Sequence, residues 1–238
     1  MRAYLVTMLL AGVAASQAHA KLVTFDYTAV VNKATRRGAS TGYATIDVPS
    51  ISIEGKEIAV GDTQRGSFTI DLDTPTEDWR PGNTTIEYMG SLNNIGSVSV
   101  DRSGFSFASE GSFYQSGFSV SNQPRGDSFS FLGTTYSDGT SGHGSESMQI
   151  RLGDTNGDLL ATDMPPSSLN FAAAESSEIL YGWYYPQNGG ESLDTFGTLT
   201  SLAVRPPSPV PEPASYAMLA AGLLTVGAAA RAKARRKG

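Results

Sequence analysis

The sequence contains no cysteine in its 238 residues. A chain without thiols has no disulfide staple, no thiolate nucleophile and no cysteine-based zinc site, so its stability rests on core burial. Histidine is nearly as scarce, with His19 and His143 only. His143 lies in Gly139-Thr140-Ser141-Gly142-His143-Gly144-Ser145, which reads as a flexible, solvated loop, and a lone histidine among serines makes no triad without a nucleophile elbow. No phosphate-binding P-loop and no dinucleotide fingerprint after a strand is present, and no cofactor is expected. Thr198-Leu199-Thr200 is too isolated for a regular threonine array. Positive charge is also short in the middle of the chain, where residues 21–204 hold 10 Lys and Arg against 22 Asp and Glu, a balance of −12. Such an exterior repels phosphate backbones, which argues against nucleic acid as a partner.

Glycine (26), proline (12), serine and threonine are plentiful, as in strands joined by many turns. From Lys21 to Val204 the apolar residues recur every second position in short runs, which puts alternate side chains on one buried face. Phe68 to Leu72, Val98 to Val100, Phe105 to Phe107, Phe118 to Val120, Phe129 to Phe131 and Met148 to Leu152 all follow this pattern. Further strands are expected at Leu22 to Val31, Thr41 to Val48, Thr84 to Met89, Ser168 to Phe171, Glu178 to Tyr185 and Thr195 to Val204, with a helical turn within Phe171 to Ser176. Turns fall at Asp101 to Gly104, Gln123 to Asp127 and Ser137 to Gly139. The spacing predicts an all-β fold for residues 21–204, two antiparallel sheets packed as a β-sandwich or jelly roll, with a closed barrel as the other geometry.

Both ends read as addresses. Residues 1–20 combine Arg2, an apolar stretch from Tyr4 to Ala15, and Ala18-His19-Ala20, which is the layout of a secretory signal peptide cleaved after Ala20. The expected partners at that step are the Sec translocon and signal peptidase. Residues 205–213 hold five prolines and form an extended linker. Ala214 to Ala230 is 17 uncharged residues, near the lower limit for a spanning helix. Residues 231–238 then carry Arg231, Lys233, Arg235, Arg236 and Lys237, which the positive-inside rule keeps in the cytoplasm.

The order Val210-Pro211-Glu212-Pro213, short apolar helix, basic cluster resembles the PEP-CTERM sorting signal. That resemblance implies recognition of the tail by an exosortase in the inner membrane and processing near Pro211-Glu212-Pro213. The stretch Gly61 to Pro75 is similar to a strand pattern of PEP-CTERM ectodomains. The apolar segment is rich in Ala rather than Leu, so its hold on lipid is weak, which suits a removable address. The protein is expected to pass through an inner-membrane stage with its ectodomain outside, then to reach the cell surface or beyond.

Two segments invite a chemical reading. Asp154-Thr155-Asn156-Gly157-Asp158 offers oxygens from Asp154, Asn156 and Asp158 in calcium-like spacing, but Leu159 and Pro165 stand where an EF-hand needs Gly and Glu. Asn156-Gly157 also suits a type I′ hairpin turn, so no metal is expected. Tyr181-Gly182-Trp183-Tyr184-Tyr185, on a strand, points Tyr181, Trp183 and Tyr185 to one face, either as a sugar platform or as core filling. The functional expectation is a non-enzymatic surface or matrix protein associated with extracellular polysaccharide. The alternatives are a carbohydrate-binding module and a glycoside-acting β-sandwich enzyme.

Overall fold

The structure is a computed structural model that describes residues 21–76, 85–111, 116–123, 126–139, 142–162, 164–186 and 190–206. The predicted signal peptide, the proline-rich linker beyond Pro206, the apolar segment and the basic tail lie outside the described residues. Among the described residues no helix is long and apolar enough to cross a membrane.

Thirteen strands are described: β1 Leu22–Arg37, β2 Ile46–Val48, β3 Ser50–Ile53, β4 Lys56–Ala59, β5 Thr63–Asp71, β6 Ile86–Met89, β7 Ile95–Val100, β8 Phe105–Ala108, β9 Gly117–Ser121, β10 Asp127–Gly139, β11 Gly142–Asp154, β12 Ser176–Tyr185 and β13 Glu191–Val204. The all-β class and the antiparallel pairing are as expected. The division into two separate sheets is not. Ten strands hydrogen-bond in unbroken series, β6-β9-β10-β11-β12-β13-β1-β5-β7-β8, with β2 joined to β1 and β3-β4 forming a separate hairpin.

The sheet curls until its halves face one another. Phe68 on β5 lies 5.7 Å from Phe129 and 5.1 Å from Phe131, both on β10, measured between ring centroids. Those strands are five ladder steps apart, about 24 Å along a flat sheet at the usual spacing. Phe105 on β8 likewise meets Tyr181 on β12 at 5.1 Å. The approach is so close at Gly96 that a Cβ there would sit 2.5 Å from Met148 Sδ and 2.8 Å from Phe131 Cε1. Two-residue alternation supplies the inner face: Phe129, Phe131, Met148, Ile150, Ile179 and Tyr181 are all buried. Each side chain of this size contributes about 1.5–3 kcal/mol on burial.

β1 is the spine. It pairs with β13 along one edge, and along the other with β5 as far as Val30 and then with β2 from Ala34 to Arg36. Phe25, Tyr27, Ala29 and Val31 alternate as buried positions, and the irregularity between Val31 and Lys33 then shifts the phase so that Ala34 and Thr35 are buried.

Several expected elements differ. Of Thr41 to Val48 only Ile46–Val48 is strand, because Ala39–Thr41 forms a 3-10 turn and Gly42 and Tyr43 take positive φ. Ser168 to Phe171 is not strand: Asn170 Nδ2 donates to the Asp158 carbonyl (3.1 Å), and a 3-10 turn follows at Phe171–Ala173. The β10–β11 ladder continues to Gly139 opposite Gly142, past the expected turn at Ser137 to Gly139. His143 therefore lies on β11, opposite Asp138, and not in a loop.

The β3–β4 hairpin had no expected counterpart. Glu54 (φ 51°) and Gly55 (φ 78°) make the two-residue connection between the paired Ile53 and Lys56, with both residues left-handed as a type I′ turn requires. Its Ile51, Ile53 and Ile58 enter the core. Arg102, in the β7–β8 turn, pins the hairpin's return: its Nε and Nη2 donate to Asp62 (2.6 and 2.9 Å), and Nη1 donates to Glu57 (3.2 Å).

Candidate functional site

β12 distributes its aromatics as the alternation predicts, but at different depths. Tyr181 is fully buried, and its hydroxyl donates to Glu146 Oε2 at 2.9 Å. Burial, together with that carboxylate, pushes the phenol far above its ordinary pKa. It is core. Trp183 packs on the edge of the core, and Tyr185 stacks on it with centroids 5.4 Å apart and planes within 12°. Both are partly exposed, so of the three residues proposed as a platform, these two reach the surface together.

The register places their neighbours. Trp183 lies between Glu146 on β11 and Leu193 on β13, Leu193 lies opposite Arg36 on β1, and Tyr185 lies opposite Glu191. Residues directly opposite in a ladder share a face. One row across four strands therefore reads Glu146, Trp183, Leu193, Arg36, with Tyr185 and Glu191 one step further out. Arg36 Nε and Glu191 Oε1 are 2.6 Å apart, and the Glu191 side chain is only 15% exposed.

A cleft of about 520 Å³ opens against this row, lined by Arg36, Glu191 and Leu193 on the sheet and by Ser50, Ile51 and Glu57 of the hairpin among others. The volume is in the usual range of small-ligand sites. Its charged lining residues are Glu57, Glu191 and Arg36, with Glu54 and Glu146 on neighbouring parts of the hairpin and sheet. Burial, with Glu54 adding to it, raises the Glu146 carboxyl above its ordinary pKa against the opposing hydrogen bond from Tyr181. Glu57 is held low by the Ser50 hydroxyl and by Arg102. Glu54, Glu57, Glu146, Glu191 and Arg36 were not marked out by the sequence, since single charges on strands carry no spacing signal. The hairpin that brings two of them in was legible as Ile51-Ser52-Ile53-Glu54-Gly55, alternation followed by a turn dipeptide.

The segment Asp154 to Asp158 is a loop start, not a two-residue hairpin. β12 begins only at Ser176, and of the Asn156-Gly157 pair only Gly157 has positive φ (81°). The Asp154 carboxylate accepts backbone N–H groups from Asn156 (2.5 Å), Asp158 (2.5 Å) and Leu159 (3.0 Å), which hold its carboxyl below the ordinary range. Asn156 Nδ2 and Thr155 Oγ1 turn instead to Glu175. Asp154 and Asn156 thus already serve the loop, and among the described residues no group of three His, Asp or Glu is placed to hold a metal.

A G-x-S-x-G pentapeptide does occur, Gly38-Ala39-Ser40-Thr41-Gly42. It forms the 3-10 turn between β1 and β2 and lacks the strand–turn–helix setting of a nucleophile elbow.

The other functional element is the tail. Residues 209–237 match the family model described as a PEP-CTERM protein-sorting motif. The chain therefore carries that motif, and the motif implies an exported protein that an exosortase sorts towards the cell surface. No curated protein and no solved structure matches the chain.

Proposed function

We propose that this is a non-enzymatic surface or matrix protein, a β-rich module delivered by an exosortase and associated with extracellular polysaccharide. The sorting motif at residues 209–237 carries the reading. The arrangement of the fold supports it. Lys21, the first residue after the predicted cleavage at Ala20, already accepts the Leu72 N–H, so the Sec translocon and signal peptidase would release a chain whose fold starts at its new N-terminus. At the other end Arg205 donates its backbone N–H to Thr24 (2.8 Å) and its guanidinium pairs with Asp26, so the sheet closes before the proline-rich linker begins.

The tail's parts have separable roles. Arg231, Lys233, Arg235, Arg236 and Lys237 hold the C-terminus inside, since each costs about 2.5–3.5 kcal/mol at the centre of a membrane helix. Pro211 and Pro213 keep the processed segment extended for an enzyme at the membrane surface. Changing Pro211, Glu212 and Pro213 to Ala leaves export and folding intact but traps full-length protein in the inner membrane. Cell fractionation with mass spectrometry of the C-terminus decides it. Release of the triple variant with a trimmed tail, or retention of Arg231 to Gly238 at the final destination of the natural protein, means a plain tail anchor. A second reading, a carbohydrate-binding module, is favoured by the partly exposed Trp183–Tyr185 stack, whose ladder partners Leu193 and Glu191 line the cleft.

A further inference from the structure

We propose that the cleft end of the rolled sheet binds uncharged pyranose units of a polysaccharide, with Trp183 and Tyr185 as the stacking platform and the Arg36–Glu191 pair as the polar clamp. The inference rests on the polysaccharide association proposed above and gives it a site and a selectivity.

Three observations converge. The first is the shape of the aromatic pair: planes within 12° and centroids 5.4 Å apart, at the outer end of a row whose next residue inward, Tyr181, is fully buried. A pyranose ring has an apolar C–H face and a hydroxyl-bearing edge. The ring face suits an aromatic surface, and the edge needs donors and acceptors close by. The second observation supplies them. Arg36 and Glu191 line the cleft two strands and one strand away from the aromatics, 2.6 Å from each other. The guanidinium donates and the carboxylate accepts, so together they match a vicinal diol without breaking their own pairing.

The third observation is charge, and it selects the sugar. Glu191 and Glu57 line the cleft with a single arginine, Arg36, that is already paired with Glu191. A uronate or sulfated unit would have to displace Glu191 from Arg36 and enter beside Glu57. A neutral hexose meets neither obstacle. Stacking carries no preference of this kind, so the platform supplies affinity and the carboxylates exclude polyanions.

The experiment uses the mature exported protein and two kinds of ligand. Calorimetric titration with cellohexaose, maltohexaose and an oligogalacturonate hexamer probes the site; co-sedimentation with polysaccharide extracted from the producing cells probes the association. At least one neutral hexasaccharide binds, and the galacturonate hexamer binds at least tenfold more weakly. Trp183→Ala weakens the neutral ligand at least tenfold. Because Trp183 also touches the core, Arg36→Gln and Glu191→Gln serve as independent variants, each weakening binding at least fivefold with an unchanged melting temperature. Binding that prefers the polyanion, or that is indifferent to all three substitutions, overturns the proposal. If the natural protein co-sediments and the variants do so equally, the association stands and the site is wrong. If the natural protein does not co-sediment at all, the association itself fails, and the site with it.

Discussion

Replacing Phe68 by Ala tests the claim that one sheet folds back on itself. Phe68 is fully buried on β5 and touches three rings, Phe25 beside it on β1 (4.9 Å) and Phe129 and Phe131 across the interior. Truncation of a buried Phe costs about 3–5 kcal/mol, part for lost transfer and part for the cavity. The upper half of that range is expected here, because two of the three contacts join opposite halves of the roll and have little freedom to collapse inward. Against a total stability of about 5–15 kcal/mol, the loss is a large fraction. With a urea dependence of about 2 kcal/mol per molar, the unfolding midpoint falls by about 2 M. Unfolding followed by tryptophan fluorescence and circular dichroism measures it, with Leu92→Ala, at an exposed turn position, as a control within about 0.5 kcal/mol of the natural protein. The combination with Phe131→Ala is the sharper arm. If the halves pack as described, the two losses couple by at least about 0.5 kcal/mol. A loss below about 1 kcal/mol for Phe68→Ala, or strict additivity with Phe131→Ala, would refute the roll.

Two further outcomes follow from individual carboxylates. Asp154→Ala lowers the melting temperature by the same amount with and without a chelator, since the side chain serves backbone N–H groups; a chelator effect on the natural protein that the substitution abolishes would show a calcium site in their place. Glu146→Gln raises the melting temperature at pH 7 and leaves it unchanged near pH 3. The burial-raised carboxyl binds its proton more tightly in the folded state, so its contribution to stability is present below the unfolded value of about 4.3 and is lost as pH rises through the folded value. Gln keeps an acceptor for Tyr181, and a fall in stability at pH 7 would mean that the charge is needed.

Strand content was legible because the fold's main force is written in period two. Every quoted apolar run, from Phe68 to Leu152, lies in or directly against a strand, since alternation is what one buried face requires. What alternation leaves open is pairing. Whether two layers are separate sheets or one curled sheet depends on how strands join through β1 and β13, a relation between residues more than 150 positions apart. The hairpin at Ile51 to Ile58 carried its signal, yet so short a run is recognised only with its turn, and Glu54 is an unusual residue at positive φ. Asn156-Gly157 misled in the opposite sense. A good turn dipeptide between apolar runs suits a hairpin, but Asp154 captures the backbone N–H groups that a tight turn would leave free and draws the chain into a longer loop. The cleft was the least legible part, because its charged residues come from β1, β4 and β13, far apart in the sequence, and meet only in the fold.

The same register relates the cleft to the address. β1 and β13 run antiparallel, with Phe25 opposite Val204 at one end and Arg36 opposite Leu193 near the other. Lys21 and Arg205 therefore share one end of this ladder, while Arg36 and Glu191 mark the opposite one. Eleven rises of strand separate Phe25 from Arg36, about 36 Å at the usual rise. Within the described sheet, Arg205 thus lies at the end remote from the cleft. The Arg205–Asp26 pair and the Arg205–Thr24 hydrogen bond fasten β13 ahead of the processed segment in the sequence. Because the cleft is built from residues of the sheet and its hairpin, the Pro211, Glu212 and Pro213 substitutions are expected to leave ligand affinity untouched while they change where the protein resides, and titration of the triple variant with the neutral hexasaccharide checks it.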